Sequence, residues 1–125
     1  MRVLVDTNAL YRALVEPETL SERVRSALLD PVHEIFASAV SVYEWIFKAA
    51  IGKLGAPSEL EAELLRAGFT PLPLTMRHAR AAGALPLHHR DPFDRMLVAQ
   101  AQLEGLTIVT SEEKIAQYEV AVLPA

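Results

Sequence analysis

The sequence predicts an α/β domain with a central, mainly parallel sheet of about four to five strands covered by helices. Two observations carry that prediction. Short β-like runs alternate with helical stretches along the chain, as strands joined by crossover helices do. In addition, Asp6, Glu44, Asp94 and Glu112 each stand where an apolar run gives way to a helix. With 125 residues the chain fits one domain, residues 1–125, large enough to bury roughly two thirds of its unfolded surface but too short for two ordinary cores.

Arg2-Val3-Leu4-Val5 reads as a buried strand, and Asp6-Thr7-Asn8 opens a helix through Leu14 that Pro17 stops. A second helix spans Ser21 to Leu29, with Val24, Leu28 and Leu29 at helical spacing, and ends before Asp30-Pro31. Ile35 to Val40 is the next strand; Ser41 then caps a helix to about Ile51, ahead of Gly52-Lys53-Leu54-Gly55. Pro57-Ser58 starts a helix with Leu60, Leu64 and Leu65 inward. Phe69 to Leu74 forms a short strand near a sheet edge, because Pro71 and Pro73 remove ladder donors. Thr75 caps a helix to about Ala82, and a loop covers Pro86 to Arg90. A long helix begins at Asp91 or Phe93, runs through Glu104 and is closed by Gly105; Leu106 to Val109 is a strand. A short helix near Glu112 to Gln117 leads to a last strand at Val120 to Leu123.

Composition narrows the function. A formal net charge of −4 argues against gripping nucleic acid by bulk positive charge, yet leaves room for a nuclease whose bound metal reverses the local sign. The basic residues are local, among them Lys48 and Arg95. Cysteine is absent, which excludes disulfides and thiolate zinc sites and is compatible with a reducing cytoplasm. No apolar run approaches the roughly 20 residues that span a bilayer, and no export leader is expected, so membrane partners are not expected either. Hydrophobic residues make up 51% of the chain, and mean hydropathy is +0.20. That surplus points to apolar surface covered by another chain.

Each acid also has a plain structural use. Ser41-Val42-Tyr43-Glu44 matches a capping box, and Thr110 with Glu113 matches another. Asp91 can be an N-cap with Pro92 at the first helical position and Asp94 in the first turn. Asp6 can cap the first helix, but it ends an uninterrupted apolar strand, where burying a charge is costly without a partner. In a parallel sheet the carboxyl ends of the strands share one edge, so these acids converge although they are far apart in sequence. Converging carboxylates repel one another unless a hard divalent cation binds between them. The pattern therefore favours a Mg²⁺ site, with Mn²⁺ as a substitute.

Leu4-Val5-Asp6-Thr7-Asn8-Ala9-Leu10, Ser41-Val42-Tyr43-Glu44, the run from His89 through Asp91-Pro92-Phe93-Asp94-Arg95 to Ala101, and Ile108-Val109-Thr110-Ser111-Glu112 together resemble the motifs of PIN-domain ribonucleases, specifically VapC-type toxins of toxin–antitoxin pairs. The resemblance covers essentially the whole chain, and Asp91-Pro92-Phe93-Asp94-Arg95 is its most specific part. It implies a three-layer α/β/α PIN-like fold and Mg²⁺-dependent endoribonuclease activity toward RNA. It also implies a small antitoxin encoded by the adjacent gene, and a homodimer. Asp6 and Asp94 would be the main metal ligands, Glu44 an outer ligand or a positioner of the attacking water, and Asp91 either a site acid or a cap. The family's usual last acid is Asp, whereas this chain has the longer Glu112. Thr7, Asn8 and Thr110 would orient the carboxylates, and Lys48, Arg95 and His89 are candidate RNA contacts. The competing readings are a PIN-like binding or regulatory module with impaired catalysis, and a phosphatase or receiver-like domain. The latter is weakened because Asp6-Thr7-Asn8 lacks a second nearby Asp. The expected apolar face for a partner includes Leu10, Leu14, Trp45 and Ile46.

Overall fold

The computed structural model describes residues 1–125. Five strands, β1 (Arg2–Val5), β2 (Glu34–Ser38), β3 (Thr70–Leu72), β4 (Thr107–Thr110) and β5 (Val122–Pro124), form one sheet in the order β3-β2-β1-β4-β5. Every pairing is parallel, with Leu4 opposite Phe36 on one side and Ile108 on the other. The helices are α1 (Thr7–Val15), α2 (Glu22–Leu29), α3 (Ala39–Ala50), α4 (Leu60–Arg66), α5 (Met76–Ala84) and α6 (Pro92–Glu104). Two short 3₁₀ turns lie at Pro17–Thr19 and Glu113–Gln117. No helix is long and apolar enough to cross a membrane.

Alternation along the strands sets the layers. Side chains of Val3 and Val5 point to one face, and Leu4 points to the other. The first face packs Val3, Val5, Ile35 and Val109 against Leu10 of α1, Val24 of α2, Trp45 of α3 and Leu64 of α4. The second packs Leu4, Phe36 and Ile108 against Leu97, Val98 and Ala101 of α6. The result is the expected three-layer α/β/α arrangement. The strands read as continuous apolar runs because both faces of a parallel sheet are covered.

Most element boundaries match the sequence reading, and the differences have local causes. β3 does form an edge, as Pro71 and Pro73 require. Gly105 ends α6 with φ +68°, the left-handed backbone that favours glycine. The cap of α3 is Ser38 rather than Ser41: the Ser38 hydroxyl accepts from the Val40 amide, so the helix begins earlier and Ser41 lies inside it. A capping box from Ser41 to Glu44 is thereby excluded. The box proposed for Thr110 and Glu113 is likewise replaced, because Glu112 caps the following 3₁₀ turn by accepting from the Lys114 amide. Thr75 does cap α5, in a capping box completed by the His78 side chain.

One buried polar chain ties the second helical layer to the sheet. The Ser38 hydroxyl donates to Gln100 Oε1 at 2.6 Å, and Gln100 Nε2 donates to the Pro73 carbonyl and to His78 Nδ1, each at 3.3 Å. His78 Nε2 meets Glu104 at 2.9 Å. Gln100 and Ser38 are fully buried, and a satisfied buried network fixes the register of α5 and α6 against the end of β2. That register also sets the height of Asp94, two turns earlier on α6.

Candidate active site

β1, β2 and β4 end side by side, so the residues following them meet at one edge of the sheet. A cavity of about 330 Å³ lies there, and no hydrophobic residue lines it. Its walls hold five acids, Asp6, Glu44, Asp91, Asp94 and Glu112, together with Thr7, Asn8, Ser111 and a single cationic residue, Lys48. All the acids singled out in the sequence are thus brought to one cleft.

Local chemistry positions each acid. Asp6 caps α1: Oδ1 accepts from the Ala9 amide at 2.8 Å, and Oδ2 accepts from the Thr110 hydroxyl at 2.5 Å. Burial raises its pKa above the ordinary carboxylate value, against the pull of those two hydrogen bonds, and the charge of Glu44 adds to the rise. Asp91 caps α6 by accepting from the Asp94 amide at 3.0 Å and still borders the cleft, so it has both proposed positions. Asp94 meets His89 Nε2 at 2.8 Å. Burial pushes its pKa up to about 6; the hydrogen bond from His89 opposes that, and the charges of Asp91 and Asp6 reinforce it. Glu44, inside α3 and 4% exposed, receives Lys48 Nζ at 2.5 Å on Oε2, while Oε1 is buried with no hydrogen-bond partner. For Lys48, burial is outweighed by the Glu44 contact and by the charges of Asp91 and Asp94, which hold its pKa above the usual lysine value.

No three of these acids and histidines are gathered closely enough to form a ready-made set of metal ligands. Instead they are held by partners from the chain itself. Several supporting roles also shift. Thr110 does orient Asp6, but Thr7 donates to the Ser41 hydroxyl at 3.0 Å, and Asn8 accepts from Arg12 at 3.5 Å. Ser111, which the sequence reading passed over, faces the cleft and accepts from Arg12 at 3.0 Å. Its only sequence signal is its place between Thr110 and Glu112.

Arg95, a candidate RNA contact in the sequence, does not line the cleft and is engaged by the chain itself. Its guanidinium donates to the carbonyls of Ala82, Leu85, Pro86 and His89 and to the Tyr118 hydroxyl, at 2.9–3.3 Å. It clasps the end of α5 and the loop that carries His89. A hydrogen bond to a charged group contributes roughly 1.5–3 kcal/mol, and the loss of this set is expected to cost at least one such increment. Arg95→Met is therefore expected to lower the urea midpoint by about that much stability, with an unchanged m-value.

An all-parallel α/β/α sheet with a polar cleft at the carboxyl ends of its central strands is the architecture in which open α/β proteins bind their ligands. The PIN domain family matches residues 3–121, and the chain belongs to that family. No curated protein matches it significantly. Among solved structures it is similar to a chain of VapBC2 from Rickettsia felis bound to a promoter DNA fragment, with a TM-score of 0.74 and 15% identity over 100% of this chain and 99% of that one. A chain of DNA-bound VapBC from Salmonella typhimurium gives a TM-score of 0.70 and 17% identity over 99% and 98% of the two chains. FitAcB from Neisseria gonorrhoeae gives 0.67 and 22%, over 98% and 96%.

Proposed function

We propose that this protein is a metal-dependent endoribonuclease, a single PIN domain acting in the cytoplasm as the toxin of a type II toxin–antitoxin pair. The observation that carries the reading is the cleft of five carboxyl groups with no apolar wall, on a PIN fold. The similar solved structures from Rickettsia felis and Salmonella typhimurium are VapBC complexes, which supports the toxin assignment.

The residues fit a hard divalent cation. The donors are all oxygen, and the buried, unpartnered Glu44 Oε1 is a lone pair that lacks a donor at some cost. Asp6 and Asp94 would be its main ligands, with Glu44 and Glu112 at the periphery. A bound Mg²⁺, or Mn²⁺ in its place, supplies Lewis acidity toward a phosphodiester and a means of lowering the pKa of water. The chain's own part is positional. Thr110 and the Ala9 amide hold Asp6, His89 and the α6 N-terminus hold Asp94, and α3 carries Glu44 to the same edge.

A second reading, a PIN module with impaired catalysis, is favoured by the Glu112 side chain being turned back onto the Lys114 amide. The two separate on cleavage of structured RNA by the purified chain in Mg²⁺ and in EDTA. Cleavage in Mg²⁺ that EDTA abolishes supports the enzyme, and no cleavage in either overturns it. Glu112→Asp is expected to keep full activity, within about two-fold, because it shortens the acid without removing its charge.

Partner surfaces follow from what remains exposed. Leu10 and Trp45 are fully buried in the first-face core, so they are unavailable to another chain, which corrects their place in the expected partner face. Leu14 is half-buried and Ile46 is 45% exposed. Beside α4 an apolar groove of about 530 Å³, lined by Val42, Leu64, Leu65 and Phe69, suits an antitoxin segment from the adjacent gene. The outer side of α3 exposes Tyr43, Ile46 and Phe47, with Tyr43 and Phe47 stacked at 6.1 Å, and suits a homodimer. Light scattering of Tyr43→Glu is expected to shift a dimeric mass to a monomeric one. A monomeric parent would refute the dimer.

A further inference from the structure

We propose that Lys48 is the cleft's own counter-cation, competing with a divalent ion for Glu44, so that ion binding is an exchange in which Lys48 gives up its carboxylate. The inference rests on the metal-dependent reading above.

Geometry separates this pair from an ordinary surface ion pair. Lys48 follows Glu44 by one helical turn, and exposed pairs at that spacing contribute little because both ends stay solvated. Here only the ammonium end reaches water: the Lys48 side chain is 38% exposed and that of Glu44 5%. The Glu44 carboxylate is therefore fixed and dry, and its only partner is the Lys48 ammonium. Removing that ammonium leaves a buried carboxylate with neither oxygen satisfied.

Lys48 is also the single cation among five acids. It pairs with Glu44 and shares the cleft with Asp91 and Asp94, so its single positive charge neutralises the region where a divalent ion would be drawn. One ammonium occupies one Glu44 oxygen and leaves the other orphaned. A cation of twice the charge, bound at Asp6 and Asp94, repels the ammonium while attracting the same carboxylate. Once displaced, the half-exposed Lys48 side chain can regain water at the rim of the cleft.

The test is calorimetric titration of MnCl₂ into the purified full chain, comparing the parent with Lys48→Met and Lys48→Arg, together with thermal melts in EDTA. Lys48→Met is expected to bind Mn²⁺ about ten-fold more tightly, to melt earlier than the parent in EDTA, and to gain more melting temperature on adding Mn²⁺. Lys48→Arg, which keeps the charge, should stay within about two-fold of the parent. If Lys48→Met fails to fold in EDTA, Lys48→Gln takes its place, and folding of either variant that requires Mn²⁺ supports the exchange. A parent that binds Mn²⁺ while the Met and Gln variants bind it equally or more weakly overturns the role of Lys48 alone. Absence of binding in every protein overturns this inference and the metal-dependent reading together.

Discussion

Asp94→Asn is expected to lower RNA cleavage by about 10²-fold or more while leaving a protein that melts no earlier than the parent in EDTA. Loss of one positioned charge-stabilising group costs roughly 10²–10³-fold in rate. The neutral amide keeps the size of the carboxyl and a hydrogen bond to His89, but it cannot be an anionic ligand. The stability result follows from the direction of the pKa shift. Burial and the charges of Asp91 and Asp6 raise the Asp94 pKa from 3.8 to about 6, so the folded state binds more protons than the unfolded chain between those values. That contribution is fully present below about pH 4 and is lost as pH rises through about 6. In EDTA the parent should therefore lose melting temperature across this window, and Asp94→Asn should lose less. Asp6→Asn should behave alike, since burial raises that acid too and Asn can still cap α1. Adding Mg²⁺ at 100 times its dissociation constant stabilises the parent by about 2.7 kcal/mol, or several degrees. Both Asn variants should lose most of that gain. Parent melts that are identical in Mg²⁺ and EDTA would reduce these acids to helix caps.

Trp45→Ala should be the most destabilising single change in the chain, at roughly 3–5 kcal/mol. The indole is fully buried, its N–H donates to the Gly55 carbonyl at 2.7 Å, and its ring meets that of Tyr11 edge-on at 5.3 Å. Truncation opens a large cavity between α1 and α3 and leaves the Gly55 carbonyl without its donor. Because those helices carry Asp6 and Glu44 to the cleft, activity should fall along with the urea midpoint. Trp45→Phe should recover most of the apolar burial but not the hydrogen bond, giving an intermediate midpoint. If Trp45→Ala unfolds at the parent's midpoint, Trp45 does not hold these helices together.

The parallel α/β class and the strand-end acids Asp6 and Glu112 were legible in the sequence for a single reason, whereas Glu44 lies inside α3 and Asp94 in the first turn of α6, beyond a loop. A strand buried on both faces must be apolar throughout, so the charged residue that ends it marks the strand's carboxyl edge, as Asp6 does after Val5. Asp91-Pro92 and Gly105 likewise announced the two ends of α6 through local backbone chemistry alone. Other assignments depended on distance in space. Ser38 and Ser41 are equally good caps in sequence, and the chain's turn into α3 decided between them. Arg95 is as basic as Lys48, yet it is consumed by carbonyls from the end of α5 and the following loop, whereas Lys48 faces the acids. Leu10 and Trp45 look like exposed partner residues until α1 and α3 close on the sheet and on each other. Pattern along the chain determined which residues carry charge and where strands end; which charges meet, and which apolar groups stay outside, was set by long-range packing that no local window contains.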